Sequence, residues 1–253
     1  ANDTLPNGTT ILSLIQGIRS AGGDVIISFG GASGTELALG CTTVSSLQAA
    51  YQAVLNKYSV NSSTPVRLDF DIEGGATTDQ ASINRRNQAL VGLKNANPGL
   101  VISYTLPVLP TGLVASGVNI LNSVKAAGLN LNVVNVMAMD YGSANDNGGQ
   151  MGLSPQQAAS NTHNQVVAAG LTASIGVTPM IGINDVNTEI FQLADATGLL
   201  NFANANSYIT RLSMWSVARD NGGCAGQGFA SPTCSGISQS NWAFSNIFKP
   251  FGP

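Results

Sequence analysis

One short segment carries an unusual concentration of acid. Val66-Arg67-Leu68-Asp69-Phe70-Asp71-Ile72-Glu73-Gly74-Gly75 holds three of the 13 acidic residues within five positions, at i, i+2 and i+4. Strand side chains alternate between faces, so Asp69, Asp71 and Glu73 share one face and Leu68, Phe70 and Ile72 take the other. Carboxylates about 7 Å apart along a strand raise one another's pKa, and desolvation adds to the effect. The expectation is proton sharing, with at least one carboxyl neutral near pH 7. Such a group can protonate a leaving oxygen as a general acid. Glu73 comes last, at the C-terminal end of the strand, where α/β proteins gather their sites. The bland alternative is a strand with one exposed face, or a calcium site. Interior strands of α/β proteins read as continuously apolar, which weighs against a purely structural strand here.

Other chemistry-bearing residues fall at the ends of further apolar runs. Ser28-Phe29-Gly30-Gly31 closes one of them; the glycine pair serves either a ligand's close approach to the backbone or a turn. Met137-Ala138-Met139-Asp140-Tyr141-Gly142 puts an acid and a phenol at another strand end. Met214-Trp215-Ser216 ends the last run with one of only two tryptophans. Its indole suits the floor under a sugar ring, with core packing as the rival role. Asn184-Asp185 follows a further strand, and Arg219-Asp220 can be a simple ion pair. His163, the sole histidine, lies in an expected helix, so a histidine-based triad is excluded.

The elements that must position these residues alternate strand and helix. Strands are expected over Asp24–Phe29, Val66–Glu73, Leu100–Pro107, Leu131–Met139, Ser174–Ile183 and Leu212–Val217. Helices are expected over Thr9–Ser20, Val44–Tyr58, Asp79–Asn95, Leu113–Ala127, Pro155–Ala169 (with Ser154 as its cap), Gln192–Ala203 and Ser240–Phe248. This order means βαβ units and a parallel sheet. Without repeats or linkers, residues 1–253 read as one domain.

Composition narrows the function. Charged residues make up 9 % of the chain, against about 25 % in ordinary soluble domains. The net charge of −3 contains no basic cluster, so nucleic acid is not an expected partner. Polar and proline residues interrupt the uncharged stretch 95–123, so no membrane span is expected. The three cysteines show no zinc-site spacing, and neither metal nor cofactor is called for. Cys224 and Cys234, ten apart in a Gly-, Ser- and Pro-rich loop, suggest a disulfide, hence an oxidising, extracellular setting. Cys41 is expected to be a buried thiol.

At these residues the sequence resembles the family 18 glycoside hydrolases, the chitinases and their relatives. The family's DxxDxDxE signature is matched at Asp69, Asp71 and Glu73, with Val66 in place of the leading Asp. Ser28, Gly30 and Gly31 match its SxGG motif, Met137, Asp140 and Tyr141 its sixth-strand motif, and Trp215 its eighth-strand tryptophan. Met139 stands where most members carry Tyr. The resemblance implies a TIM (β/α)₈ barrel in which Asp24–Phe29 is the third strand. The first two strands are then missing from this chain, which reads as a fragment. Only one helix separates the Ser174 and Leu212 strands, too little for the small α+β domain that many members insert there.

The resemblance also implies substrate-assisted retaining hydrolysis of β-1,4-linked N-acetylglucosamine in chitin or its oligosaccharides. Glu73 would be general acid and base, Asp71 would orient the acetamide, and Asp69 would tune Asp71. Asp140 and Tyr141 would hold the acetamido group. Trp215, Met137, Met139, Phe29, Gly30, Gly31 and Asn184 complete the expected substrate-binding set, in a monomer. Alternatives are an inactive chitin-binding lectin and an endo-β-N-acetylglucosaminidase acting on glycoprotein glycans.

Overall fold

A computed structural model describes residues 3–59 and 66–252, which fall into two compact units. One comprises the described residues up to 104 together with 123–131; the other comprises 105–122 and 132–252.

In the first unit the order is α1 (Ile11–Ser20), β1 (Ile27–Gly30), α2 (Leu37–Gly40), α3 (Val44–Tyr58), β2 (Arg67–Asp71), α4 (Gln80–Ala96) and the start of β3 (Val101–Leu109). Polar side chains open the helices. The Thr43 hydroxyl accepts from Ser46 N–H at 3.1 Å, and the Asp79 carboxylate accepts from Ser82 N–H at 2.6 Å. Helical spacing then sends Leu47, Tyr51, Leu55 and Tyr58 of α3 inward.

β1 and β2 pair in parallel, with Ser28 opposite Asp69 and Phe29 opposite Phe70. Alternation separates the two faces as expected: Leu68, Phe70 and Ile72 are fully buried. Phe70 stacks on Phe29 with ring centroids 5.3 Å apart, and Tyr51 and Tyr104 meet it edge-on at 5.1 and 5.8 Å.

The second unit holds the end of β3, β4 (Gly112–Leu113), most of α5 (Ala115–Ala127), β5 (Val133–Ala138), α6 (Ser154–Ala168), β6 (Ser174–Pro179), β7 (Gly182–Ile183), β8 (Ile190–Phe191), α7 (Leu193–Ala205), β9 (Ile209–Leu212) and α8 (Ala243–Phe248). β5, β6 and β9 pair in parallel, while β3–β4 and β7–β8 are small antiparallel hairpins. Together with β1, β2 and β3, these give the six principal strands expected from the sequence among the described residues.

Four local expectations change. The last strand is Ile209–Leu212, earlier than Leu212–Val217. Arg211 interrupts its apolar pattern, and beyond Leu212 only an isolated bridge joins Trp215 to Met180. The Ser174–Ile183 strand breaks after Pro179, because Gly182 at φ +73° turns the chain into the β7–β8 hairpin. Ser154 lies inside α6, where its hydroxyl accepts from Asn147 Nδ2 instead of capping the helix. Cys41, just after α2, is half-buried. The Cys224–Cys234 disulfide is formed, with Cα atoms 5.9 Å apart.

A buried ion pair ties α2 to α4. Glu36 accepts from Arg86 Nη1 at 3.2 Å, from Tyr51 Oη at 2.6 Å and from Ala38 N–H at 2.9 Å, and both charged side chains are sealed from solvent. The Arg86 guanidinium also sits 5.4 Å from the Tyr104 ring centroid. Removing one partner strands the other charge. Arg86→Met should therefore cost about 3–5 kcal/mol in urea unfolding, with Arg86→Met/Glu36→Gln recovering part of the loss. A double variant less stable than the single would contradict this.

Candidate active site

The acidic face of β2 is built as the sequence suggested, and its neighbours define each carboxyl. Asp69 is buried and accepts from the Ser28 hydroxyl at 2.8 Å and from the Ser103 hydroxyl at 2.5 Å. Each of its two oxygens thus has a hydroxyl donor. Asp71 is half-buried, and its Oδ1 has no hydrogen-bond partner. Burial first, then the charges of Glu73 and Asp69, push its pKa up to about 7. The shared proton expected from the sequence thus falls on Asp71. Glu73 stands just past the strand in extended conformation, half-buried.

Asp71 and Glu73 line a cleft of about 350 Å³ together with Gly30, Gly31, Glu36 and Leu39. The glycine pair has a definite reason. Gly30 lies at φ +105°, and a Cβ there would stand 2.1 Å from the Asp71 carbonyl oxygen. Gly31 donates its N–H to that carbonyl at 3.0 Å, and its own Cβ position lies 3.5 Å from Asp71 Oδ2. The turn therefore brings bare backbone against the catalytic candidate. Phe29 is a correction: alternation turns its ring toward Phe70 and Tyr51, in the aromatic core, so it is no sugar platform.

The other strand-end candidates belong to the second unit. Met137 and Met139 are half-buried at the end of β5. Asp140 adopts φ +51°, and its Oδ1 accepts from Val186 N–H at 2.9 Å; burial foremost raises its pKa. Tyr141, expected to hold substrate, is enclosed at 4 % exposure with an unpartnered hydroxyl. Buried Glu189 fixes this turn by accepting from the Tyr141 and Gly142 N–H groups at 3.1 and 2.9 Å.

Asn184 is a second correction. Fully buried, it donates through Nδ2 to the Met180 and Gly182 carbonyls, shaping the β7 turn and not a binding surface. Arg219 and Asp220 do not pair with each other. Arg219 holds the carbonyls of Ile181, Ile183 and Ser231, while Asp220 caps α8. Trp215 is 57 % exposed and precedes a cis peptide bond. His163 stacks on Tyr208, centroids 4.0 Å apart.

No family model matches the chain. A probable bifunctional chitinase/lysozyme of Escherichia coli strain K12 is 39 % identical across 94 % of the chain and 28 % of its own length. Endochitinase 11 of Metarhizium anisopliae is 39 % identical across 82 % of the chain and 42 % of its own length. The chain thus spans less than half of either relative. Among solved structures, the catalytic domain of a hyperthermophilic chitinase from Pyrococcus furiosus matches with a TM-score of 0.81 at 32 % identity, covering 94 % of this chain and 76 % of that one. The chain belongs to the family 18 glycoside hydrolases. Its fold class is the TIM-like α/β class of those catalytic domains.

As a family 18 member the chain keeps the last three acids of the signature, and Ser103 is the neighbour that sequence reasoning missed. The available signal was a polar pair, Ser103 and Thr105, at alternate positions of an otherwise apolar strand. Glu36 and Glu189 were equally silent, although the chain has only three glutamates.

The raised pKa of Asp71 has a consequence for stability. The folded state holds this proton more tightly than the unfolded chain, so stability is lost as pH rises from the ordinary value of 3.8 through about 7. Asp71→Asn removes that loss. Thermal melting should show the variant gaining on the parent between pH 4 and pH 8, most strongly at the upper end. A difference independent of pH would contradict the assignment.

Proposed function

We propose that the chain hydrolyses β-1,4 linkages between N-acetylglucosamine units of chitin, within the chain rather than only at its ends, and with retention of configuration. The carrying observation is the Asp71–Glu73 pair at one cleft, with Asp71 half-protonated near neutral pH beside the half-exposed Glu73. The similarity to Endochitinase 11, and to a Pyrococcus furiosus chitinase domain solved with chito-oligosaccharides (31 % identity, TM-score 0.81, 78 % of that chain covered), supports the substrate class.

The proton held by Asp71 passes to its hydrogen-bonded neighbour Glu73, which gives it to the glycosidic oxygen as the bond to the anomeric carbon breaks, leaving Asp71 a carboxylate. The N-acetyl carbonyl oxygen of the same sugar closes on that carbon, forming an oxazolinium ion; this is a substrate-assisted exception to the two-carboxylate scheme. Asp71 accepts the acetamide N–H and offsets the growing positive charge. The charge of Asp69, held by Ser28 and Ser103, sustains the high pKa of Asp71. Glu73, now a carboxylate, takes a proton from the water that opens the ring. Trp215 supplies an exposed apolar face for a pyranose. The Cys224–Cys234 disulfide supports an extracellular setting.

Glu73→Gln tests this reading. Turnover of colloidal chitin should fall by roughly 10²–10⁴-fold while chito-oligosaccharide binding persists. Retention of more than about a tenth of parent turnover would remove Glu73 from the role. Proton NMR of early products should show the β-anomer first; α-anomer first would exclude retention.

A further inference from the structure

The chain has only two tryptophans, and both are more than half exposed: Trp215 at 57 % and Trp242 at 55 %. Trp242 combines exposure with a backbone that indole-bearing residues avoid. It sits at φ +64°, ψ +23°, the left-handed region that Gly and Asn enter with little strain and bulky side chains rarely adopt. More than half of the residue is nonetheless open to solvent, so the strained position is not occupied by a fully packed core side chain.

The backbone on either side is held firmly. Trp242 donates its N–H to the Asp220 carbonyl at 2.8 Å, and its own carbonyl accepts from Asn246 N–H at 2.9 Å. The buried Asp220 carboxylate accepts from Phe244 N–H, Ser245 N–H, Ser245 Oγ and Gln239 Nε2, at 2.6 to 3.0 Å. An Asn or Gly would satisfy this turn without the strain. A strained residue held by an over-determined frame points to use of its side chain.

The surroundings set the chemistry of a ligand. Residues 221–248 contain no Asp, Glu, Lys, Arg or His. Ser240, Asn241 and Asn246, near Trp242 in the chain, are exposed. An exposed apolar ring with hydroxyl- and amide-bearing neighbours in the chain, whose nearest charged residues in sequence are the buried Asp220 and the exposed Lys249, suits an uncharged, hydroxyl-rich partner and disfavours nucleic acid or an acidic surface. We propose that Trp242 is a sugar-binding platform that stacks on an N-acetylglucosamine unit of a chitin chain. The identity of the polymer rests on the chitinase reading above.

The test measures binding to colloidal chitin in a Glu73→Gln background, so that substrate is not consumed. Trp242→Ala should weaken binding by about fivefold or more, and Trp242→Tyr should retain most of it. Trp242→Gly should bind as poorly as Trp242→Ala yet melt no lower than its parent, because it relieves the left-handed strain; a structural tryptophan would instead lower the melting temperature. Unchanged binding by Trp242→Ala, or a lower melting temperature for Trp242→Gly, overturns the proposal. Hydrolysis of a soluble chito-oligosaccharide by the unmodified chain separates the two readings. Hydrolysis with unaltered Trp242→Ala binding defeats the platform alone, whereas a chain that neither hydrolyses nor binds defeats both.

Discussion

The arrangement around the acidic strand follows from one electrostatic constraint: Asp71 is desolvated between two other carboxyls on the same strand face. Three charges cannot comfortably share that surface, so one proton stays, and burial directs it to Asp71. The neighbours make this division stable. Ser28 and Ser103 each donate a hydroxyl hydrogen bond to one oxygen of Asp69. Gly30 lets β1 close onto the Asp71 backbone where any side chain would collide. The opposite face of β2 is sealed by Phe29, Tyr51, Phe70 and Tyr104, which fixes the strand and hence the direction of its acids.

A chain this poor in charge uses its ionised groups sparingly and as anchors. Outside the acidic strand, Glu189 holds the backbone of the Tyr141 turn, Arg219 gathers three carbonyls, and Asp220 caps the last helix. Each replaces regular secondary structure in a long connection, where backbone groups would otherwise lack partners. Glu36 and Arg86 do the same between helices at the cost of a buried ion pair.

The acidic strand was legible because alternation is a strict geometric rule: once Val66–Glu73 is a strand, Asp69, Asp71 and Glu73 must share a face. The Val44–Tyr58 helix, with its polar cap and apolar spacing, matched residue for residue, and the other expected helices shifted by one to three residues at one or both ends. Errors gathered where tertiary contacts override local pattern. Asn184 resembled a site residue by position but is drawn inside, where its Nδ2 donates to the Met180 and Gly182 carbonyls. Phe29 sat in the right motif on the wrong face. Trp242 carried no motif, and only its backbone angle and exposure single it out.

Carbon-13 NMR titration of the side-chain carboxyls, with the Asp71 resonance assigned by its loss in Asp71→Asn, measures the central constraint directly. The Asp71 carboxyl should titrate with a midpoint near 7. A midpoint in the ordinary aspartate range, about 4, would contradict it and leave Glu73 without its protonated neighbour.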